Sequence, residues 1–254
     1  MEDITAGQYY LVYNAFSFTV ATMAAATLFF WFGRSQVSPA YKTALTITGL
    51  VTFIALYHYW RIFESWDSAF TVTDGTVELT GVAFNNAYRY VDWLLTVPLL
   101  LIELILVMKL SRQETISKGV LLGGAAALMI ALGYPGEVSG GIDTTRFIWG
   151  ALSMIPFLYI VYSLFVGLSK SIDSQPASVK GLVSIARWIV VLSWSFYPVV
   201  YFAPFVIPMD GGTAKAVIEV GYTIADIVAK AVFGVLIYII AVRKSEEETG
   251  AIKA

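Results

Sequence analysis

Four ionisable residues lie inside long apolar stretches of this sequence. Asp92 and Glu103 occur within residues 83–109, and Asp226 and Lys230 occur within residues 214–242. A charge in an apolar environment is costly unless it is paired or neutral. Lys230 lies about a dozen residues, or roughly 18 Å, from the nearer end of its stretch. A lysine side chain cannot reach that far. The position of Lys230 is therefore poorly explained by a side chain that extends to the membrane surface.

Lys230 suggests a definite chemistry. An amine in a dry site can be held neutral, and a neutral amine forms a Schiff base with an aldehyde. Once protonated, a Schiff base needs a negative partner. Asp226 precedes Lys230 by one helical turn on the same face, so it is a candidate for that partner.

Residues 83–109 place two acids on one helical face. Arg89, Asp92 and Thr96 follow an i, i+3, i+7 spacing, and Glu103 comes eleven residues after Asp92. Eleven residues return to within about 20° of the starting direction, about 16 Å further along. The arrangement suits a proton relay. Two alternatives remain: a pair of buried structural acids, or a Glu103 that reaches the interface.

Two further features could belong to the same site. Trp194, Tyr197 and Tyr201 share a face at i, i+3, i+7, a pattern that is usually core packing but that could wall a flat conjugated molecule. His58 is the only histidine. It is either a structural histidine or a group that tunes a nearby carboxylate.

The composition indicates that these residues lie in a membrane. Of 254 residues, 58% are hydrophobic and 13% are charged, whereas a soluble domain is about 25% charged. Seven apolar stretches predict a bundle of seven transmembrane helices that forms one domain over residues 1–254. These stretches are 7–33, 41–63, 83–109, 116–134, 145–169, 178–207 and 214–242. With no cysteine and one histidine, the sequence predicts no metal site, and it has no basic stretch suited to nucleic acid.

The segment between the second and third helices has a different pattern. Residues 70–79 alternate apolar and polar side chains around Asp74 and Gly75. This alternation around an Asp-Gly pair predicts a β-hairpin that caps one end of the bundle.

The distribution of Lys and Arg predicts the orientation in the membrane. One side holds Arg61, Arg89, Arg146 and Lys215. The other side holds Arg34, Lys42, Lys109, Arg112, Lys118, Lys170, Lys180, Arg187, Arg243, Lys244 and Lys253. The positive-inside rule therefore places the N-terminus outside and the C-terminus in the cytoplasm.

Three motifs resemble the microbial rhodopsins. They are RYVDWLLTVP at 89–98, WSFYP at 194–198, and Asp226 with Lys230. The resemblance covers essentially the whole chain, and it implies all-trans-retinal bound to Lys230 as a protonated Schiff base. It makes Asp92 the primary counterion and proton acceptor, Asp226 the second counterion, and Arg89 the organiser of the extracellular half-channel. The implied retinal pocket comprises Trp93, Thr96, Pro98, Trp194, Tyr197, Pro198 and Tyr201.

The finer features resemble the proteorhodopsins and xanthorhodopsins, which are light-driven outward proton pumps in prokaryotic cell (inner) membranes. Glu103 is similar to the cytoplasmic proton donor of these pumps, and His58 is typical of the histidine that pairs with their counterion. Leu100 resembles the spectral-tuning residue of green-absorbing variants. Gly150 resembles the glycine window that accommodates a carotenoid antenna, a hydroxylated xanthophyll, although it could be a packing glycine. Family members often form pentamers or trimers.

Several alternative functions can be weighed on the same residues. The main one is a sensory rhodopsin that signals to a partner, but sensors often lack a carboxylate at the position of Glu103. A chloride pump needs a neutral residue at Asp92, and sodium pumps typically carry Asn there. A hormone-type receptor and a membrane enzyme fit less well, so we expect an ion transporter and no enzyme. The paired extracellular glutamates of archaeal bacteriorhodopsin have no clear counterpart, and Glu219 matches one of them on spacing alone.

Overall fold

The computed structural model describes residues 4–139 and 141–250. Seven long helices form the bundle, and their lengths suit a membrane crossing. They are α1 (Ala6–Gly33), α2 (Lys42–Ala69), α3 (Ala87–Met108), α4 (Arg112–Glu137), α5 (Thr144–Gly167), α6 (Ala177–Val206) and α7 (Gly211–Glu248). Short helical turns follow α1 at Arg34–Gln36 and α5 at Ser169–Asp173. Lys253, used above for the orientation, lies outside the described residues.

Six of these helices are apolar enough to cross a membrane by composition alone. The exception is α2, whose second half carries His58, Arg61, Glu64 and Asp67. It nevertheless packs between α1 and α3 along the bundle. The predicted seven-helix fold is confirmed. Helices α2, α4 and α7 extend several residues beyond the predicted stretches because polar residues form some of their terminal turns.

Local sequence explains where several helices begin. Thr5 and Gln8 form a reciprocal capping box at α1, and Ser111 and Glu114 do the same at α4. Asp210 accepts from the backbone N–H of Thr213 at the start of α7. These side chains satisfy N–H groups that have no partner within the helix.

The predicted hairpin is present between α2 and α3. Strand β1 (Phe70–Thr73) pairs antiparallel with β2 (Thr76–Leu79), and Thr73 lies opposite Thr76. Asp74 and Gly75 form the two-residue turn with φ of 50° and 79°, which is the backbone that a twisted two-residue hairpin requires. We refer to this end of the bundle as the hairpin end.

The helices enclose a shared interior. Neighbours in sequence from α1 to α5 pack side by side, and α7 contacts α1, α2, α3 and α6. A short π-helical turn, Ile227–Val232, interrupts α7. Such turns are rare and often occur at functional sites, and this one contains Lys230.

Candidate functional site

Lys230 lies in the middle of the bundle, and its side chain is only 1% exposed. Its Nζ atom lies 2.5 Å from Asp92 Oδ2 on α3 and 2.9 Å from Asp226 Oδ1 on α7. Both carboxylates are also buried. The structure therefore brings together three of the four ionisable residues that the sequence singled out, with the amine between two acids.

The two carboxylates differ in their hydrogen bonding. Asp226 accepts from Tyr59 at 2.7 Å, from Tyr197 at 2.5 Å and from Trp93 Nε1 at 3.1 Å. Asp92 Oδ1 has no hydrogen-bond partner among the described residues. Donors stabilise the ionised form of a carboxylate, so Asp226 is held as an anion, whereas Asp92 retains a free oxygen that can take up a proton.

His58 lies close to Asp92 but is not hydrogen-bonded to it. The distance from His58 Nδ1 to Asp92 Oδ1 is 4.0 Å, whereas Nδ1 is 2.9 Å from the carbonyl oxygen of Ile54. A carbonyl oxygen can only accept, so Nδ1 is the donor. His58 and Asp92 are therefore neighbours in this structure, but the expected pairing does not include a direct hydrogen bond between them.

A polar chain leads from Asp226 toward the hairpin end. Arg89 Nη1 donates to the hydroxyl oxygen of Tyr59 at 3.0 Å, and Arg89 Nη2 lies 2.5 Å from Glu219 Oε2. Both charged side chains are 2% exposed. Sequence reasoning missed Tyr59 and gave Glu219 little weight. The available signal for Glu219 was its position two turns before Asp226, on the same face of α7.

Glu103 is isolated on the other side of Lys230. It is fully buried, and neither carboxyl oxygen has a hydrogen-bond partner among the described residues. Thr48 lies next to it, but the Thr48 hydroxyl group donates to Ala44 O. Because an ionised carboxylate without partners is costly in an apolar interior, we expect Glu103 to carry its proton at rest.

An apolar cavity adjoins Lys230 and Asp226. Its walls include most of the residues expected to form the pocket, together with Leu100 and Gly150. These expected residues are Trp93, Trp194, Tyr197, Pro198 and Tyr201. Tyr90, Met154, Phe157 and Tyr222 also line it and were not anticipated.

Two expected pocket residues do not line this cavity. Thr96 is buried, and its hydroxyl group donates to the carbonyl oxygen of Asp92 one turn earlier. Pro98 faces α4, where its Cβ would lie 3.8 Å from a methyl group placed on Gly123. The helical spacing gave the correct helix, but these two side chains point away from the open space.

A second buried ion pair lies near the hairpin end. Arg146 Nη2 is 2.9 Å from Glu137 Oε2, and both side chains are less than a tenth exposed. The guanidinium group lies 4.2 Å from the ring centre of Tyr201, whose hydroxyl group donates to Arg146 O. This pair therefore fixes one wall of the cavity, and the sequence reasoning did not identify it.

Fold and site together define a class of protein: a seven-helix membrane protein whose buried lysine faces two aspartates beside an apolar cavity. The sequence model of the family described as bacteriorhodopsin-like protein matches residues 12–244. The chain belongs to this family.

Curated relatives support the same assignment. The chain is 34% identical to the green-light absorbing proteorhodopsin of Gamma-proteobacterium EBAC31A08, over 92% of this chain and 88% of that protein. It is 33% identical to the bacteriorhodopsin of Halobacterium salinarum, over 85% of this chain and 79% of that protein.

Solved structures agree in fold. Xanthorhodopsin, described as a light-driven ion pump with a dual chromophore, is 50% identical with a TM-score of 0.91, over 97% of this chain and 98% of that chain. Thermophilic rhodopsin is 45% identical with a TM-score of 0.92, over 98% of this chain and 99% of that chain.

Proposed function

We propose that this protein is a light-driven outward proton pump that carries retinal on Lys230. The observation that carries the proposal is the contact of Lys230 Nζ with Asp92 and Asp226, with Glu103 buried further along α3. Membership of the bacteriorhodopsin-like family supports it, as does the similarity to xanthorhodopsin.

The cavity fits retinal by its chemistry. Its aromatic walls suit a conjugated hydrocarbon, and its one amine, Lys230, suits the aldehyde. When bound there, retinal supplies light absorption and a change of shape that alters where the proton on Lys230 Nζ can go.

Asp92 is the proton acceptor in this proposal. Its Oδ2 lies 2.5 Å from Nζ, and its Oδ1 accepts no hydrogen bond from the part of the chain that the structure describes. The proton on Lys230 Nζ moves to Asp92, while Asp226 stays ionised because Tyr59, Tyr197 and Trp93 donate to it. The two counterions therefore have different roles, although both contact the same amine.

Glu103 is the donor that returns a proton to Lys230 Nζ. Glu103 is buried and has no hydrogen-bond partner among the described residues, so it keeps a proton available toward the end of α3 that lies opposite the hairpin end. A proton leaves past His58, which lies 4.0 Å from Asp92, and then by way of Arg89 and Glu219 toward the hairpin end. Leu100, which lines the cavity, tunes the absorbed colour.

The direction of transport depends on the orientation in the membrane. The excess of Lys and Arg at the end opposite the hairpin supports a cytoplasmic location for that end and an outside location for the N-terminus. The pump then moves protons out of a prokaryotic cell across its inner membrane. We include in the proposal a single domain over residues 1–254 and a pentamer or trimer.

The test is the pH of an unbuffered suspension of cells that express the protein with added all-trans-retinal, recorded with and without green light. Acidification that a protonophore abolishes supports pumping. Asp92→Asn should abolish the signal, and Glu103→Gln should slow the return of the proton to Lys230 Nζ. Coloured cells with no pH change would contradict pumping and favour a sensory rhodopsin.

A carotenoid antenna, such as a hydroxylated xanthophyll, belongs to the same proposal. Gly150 lines the cavity, and a Cβ placed on it would lie 2.5 Å from Tyr201 Cε1 and 2.8 Å from Phe202 Cζ. Tyr201 and Phe202 therefore pack directly against Gly150, and a side chain at this position would displace them. The dual chromophore of xanthorhodopsin supports the idea.

Excitation spectra of carotenoid-loaded protein test the antenna. Gly150→Trp should abolish energy transfer from carotenoid to retinal. Gly124→Trp is a suitable control, because nothing lies within 4 Å of a Cβ placed on Gly124. Transfer that survives in Gly150→Trp would rule out the window.

A further inference from the structure

Lys244 is a buried cation at the end of the bundle opposite the hairpin. It is 6% exposed. Its Nζ atom donates to Val107 O at 3.0 Å, to Met108 O at 3.2 Å and to Gln175 Oε1 at 2.8 Å. Gln175 Nε2 also donates to Met108 O at 3.1 Å. One ammonium group therefore joins the end of α3, the connection between α5 and α6, and α7.

These bonds have a clear physical reason. The last carbonyl groups of a helix have no partner within the helix and carry partial negative charge. Helix α3 ends at Met108, and the next residue, Lys109, has a φ of 55°. The carbonyl groups of Val107 and Met108 therefore have no partner further along the helix. A lysine has three N–H donors, and Lys244 uses all three.

This contact lies just beyond Glu103. Val107 follows Glu103 by one helical turn, about 6 Å along the axis. The side chains of Leu104, Val107, Ile240 and Ala241 in this region are at most 2% exposed. Because neither Glu103 oxygen has a hydrogen-bond partner among the described residues, a proton that refills Glu103 from this end must cross the apolar layer beneath Lys244.

On its other side, Lys244 borders an open polar recess. Charged groups of both signs line the recess: Lys109, Glu114, Lys170, Glu247 and Glu248. Glu248 accepts from Tyr41 at 2.7 Å and contacts Lys109 at 2.5 Å. Water can enter this recess, so Lys244 separates a wet vestibule from the dry segment that holds Glu103.

We infer that Lys244 is a positioning residue for proton uptake: it closes the entrance to Glu103, and the end of α3 must detach from it before Glu103 is refilled. This inference rests on the proposed function. Lys244 does not carry the proton; it holds the three segments together while Glu103 is protonated.

Lys244→Met tests the inference, because methionine keeps an apolar stem and removes the donors. Flash-induced proton uptake is measured with a pH-sensitive dye, using the retinal-loaded full-length protein. Loss of a charge-assisted hydrogen bond shifts an opening equilibrium by about tenfold, so we expect uptake about tenfold faster. Arg243→Met is the matched control. Arg243 is exposed, and its replacement removes the same positive charge one residue away from Lys244. Its uptake should match wild type.

Two further variants separate positioning from simple damage. Lys244→Arg keeps the charge and donors and should restore uptake close to the wild-type rate. Glu103→Gln combined with Lys244→Met should be as slow as Glu103→Gln alone, because the entrance serves Glu103. An unchanged visible absorption spectrum shows that each variant is folded.

The outcomes distinguish this inference from the proposed function. Equal uptake rates in Lys244→Met and Arg243→Met would overturn the inference that Lys244 closes the entrance to Glu103. Slower uptake in Lys244→Met would also overturn it, because Lys244 would then promote proton uptake. Wild-type protein that absorbs visible light but takes up no proton would instead overturn the proposed pump.

Discussion

The two charges of the buried ion pair of Arg89 and Glu219 should affect the stability of the protein non-additively. The two charged groups are 2.5 Å apart, and each side chain is 2% exposed. Removal of one partner from such a pair costs about 3–5 kcal/mol, because the other charge is left buried and unpaired, whereas removal of both is often nearly neutral. Arg89→Gln and Glu219→Gln should therefore each lower the free energy of unfolding by about 3–5 kcal/mol.

The double variant should be much less destabilised than the sum of the two single variants. We expect a coupling energy of about 3 kcal/mol or more. The assay is unfolding of the retinal-loaded protein in mixed detergent micelles, followed by loss of visible absorbance. Asp173 and Lys180 provide the control, since they form a 2.7 Å pair whose side chains are 69% and 47% exposed. Exposed pairs contribute only about 0–1 kcal/mol.

Additivity would refute this reasoning. The losses in the free energy of unfolding for Arg89→Gln and Glu219→Gln are added and compared with the loss for the double variant. If the two values agree within about 0.5 kcal/mol, the two charges do not stabilise one another. A coupling energy as small as that of Asp173 and Lys180 would lead to the same conclusion.

Three further predictions follow from the described contacts. Tyr197→Phe removes a 2.5 Å hydrogen bond to the buried Asp226 and should cost about 1.5–3 kcal/mol of stability in the same unfolding assay; no loss would argue against that bond. Gly234→Ala should destabilise the folded protein by about 1–3 kcal/mol, because the added Cβ would lie 2.5 Å from Phe30 Cζ. A Cβ added at Gly119 has open space around it, so Gly119→Ala should not destabilise the protein. The backbone N–H of Thr213 lowers the pKa of Asp210, so the stability from this cap is present at neutral pH and is lost as pH falls below about 4. Asp210→Asn keeps a helix cap that does not titrate. Thermal unfolding curves of the wild type and of Asp210→Asn should therefore diverge only in acid.

The sequence by itself determined the class of fold and the principal charged residues. In a lipid environment a long apolar segment must satisfy its own backbone hydrogen bonds, so each such stretch forms a helix. The Asp74–Gly75 pair predicted the hairpin because few residues adopt positive φ in a two-residue turn. Asp92, Asp226 and Lys230 stood out because charges rarely occur inside apolar stretches, and the structure places all three in contact.

Only the tertiary structure decided how these residues differ. Helical spacing gives the face and height of a side chain on its own helix, but not which atoms of another helix lie within 3 Å. Asp226 receives donors from α2, α3 and α6 while Asp92 keeps a free oxygen. The pairing of Arg89 with Glu219, 130 residues away, and the position of Lys244 beneath the end of α3 depend on the same interhelical packing. These contacts depend on distances set by several helices at once, and no local pattern in the chain encodes them.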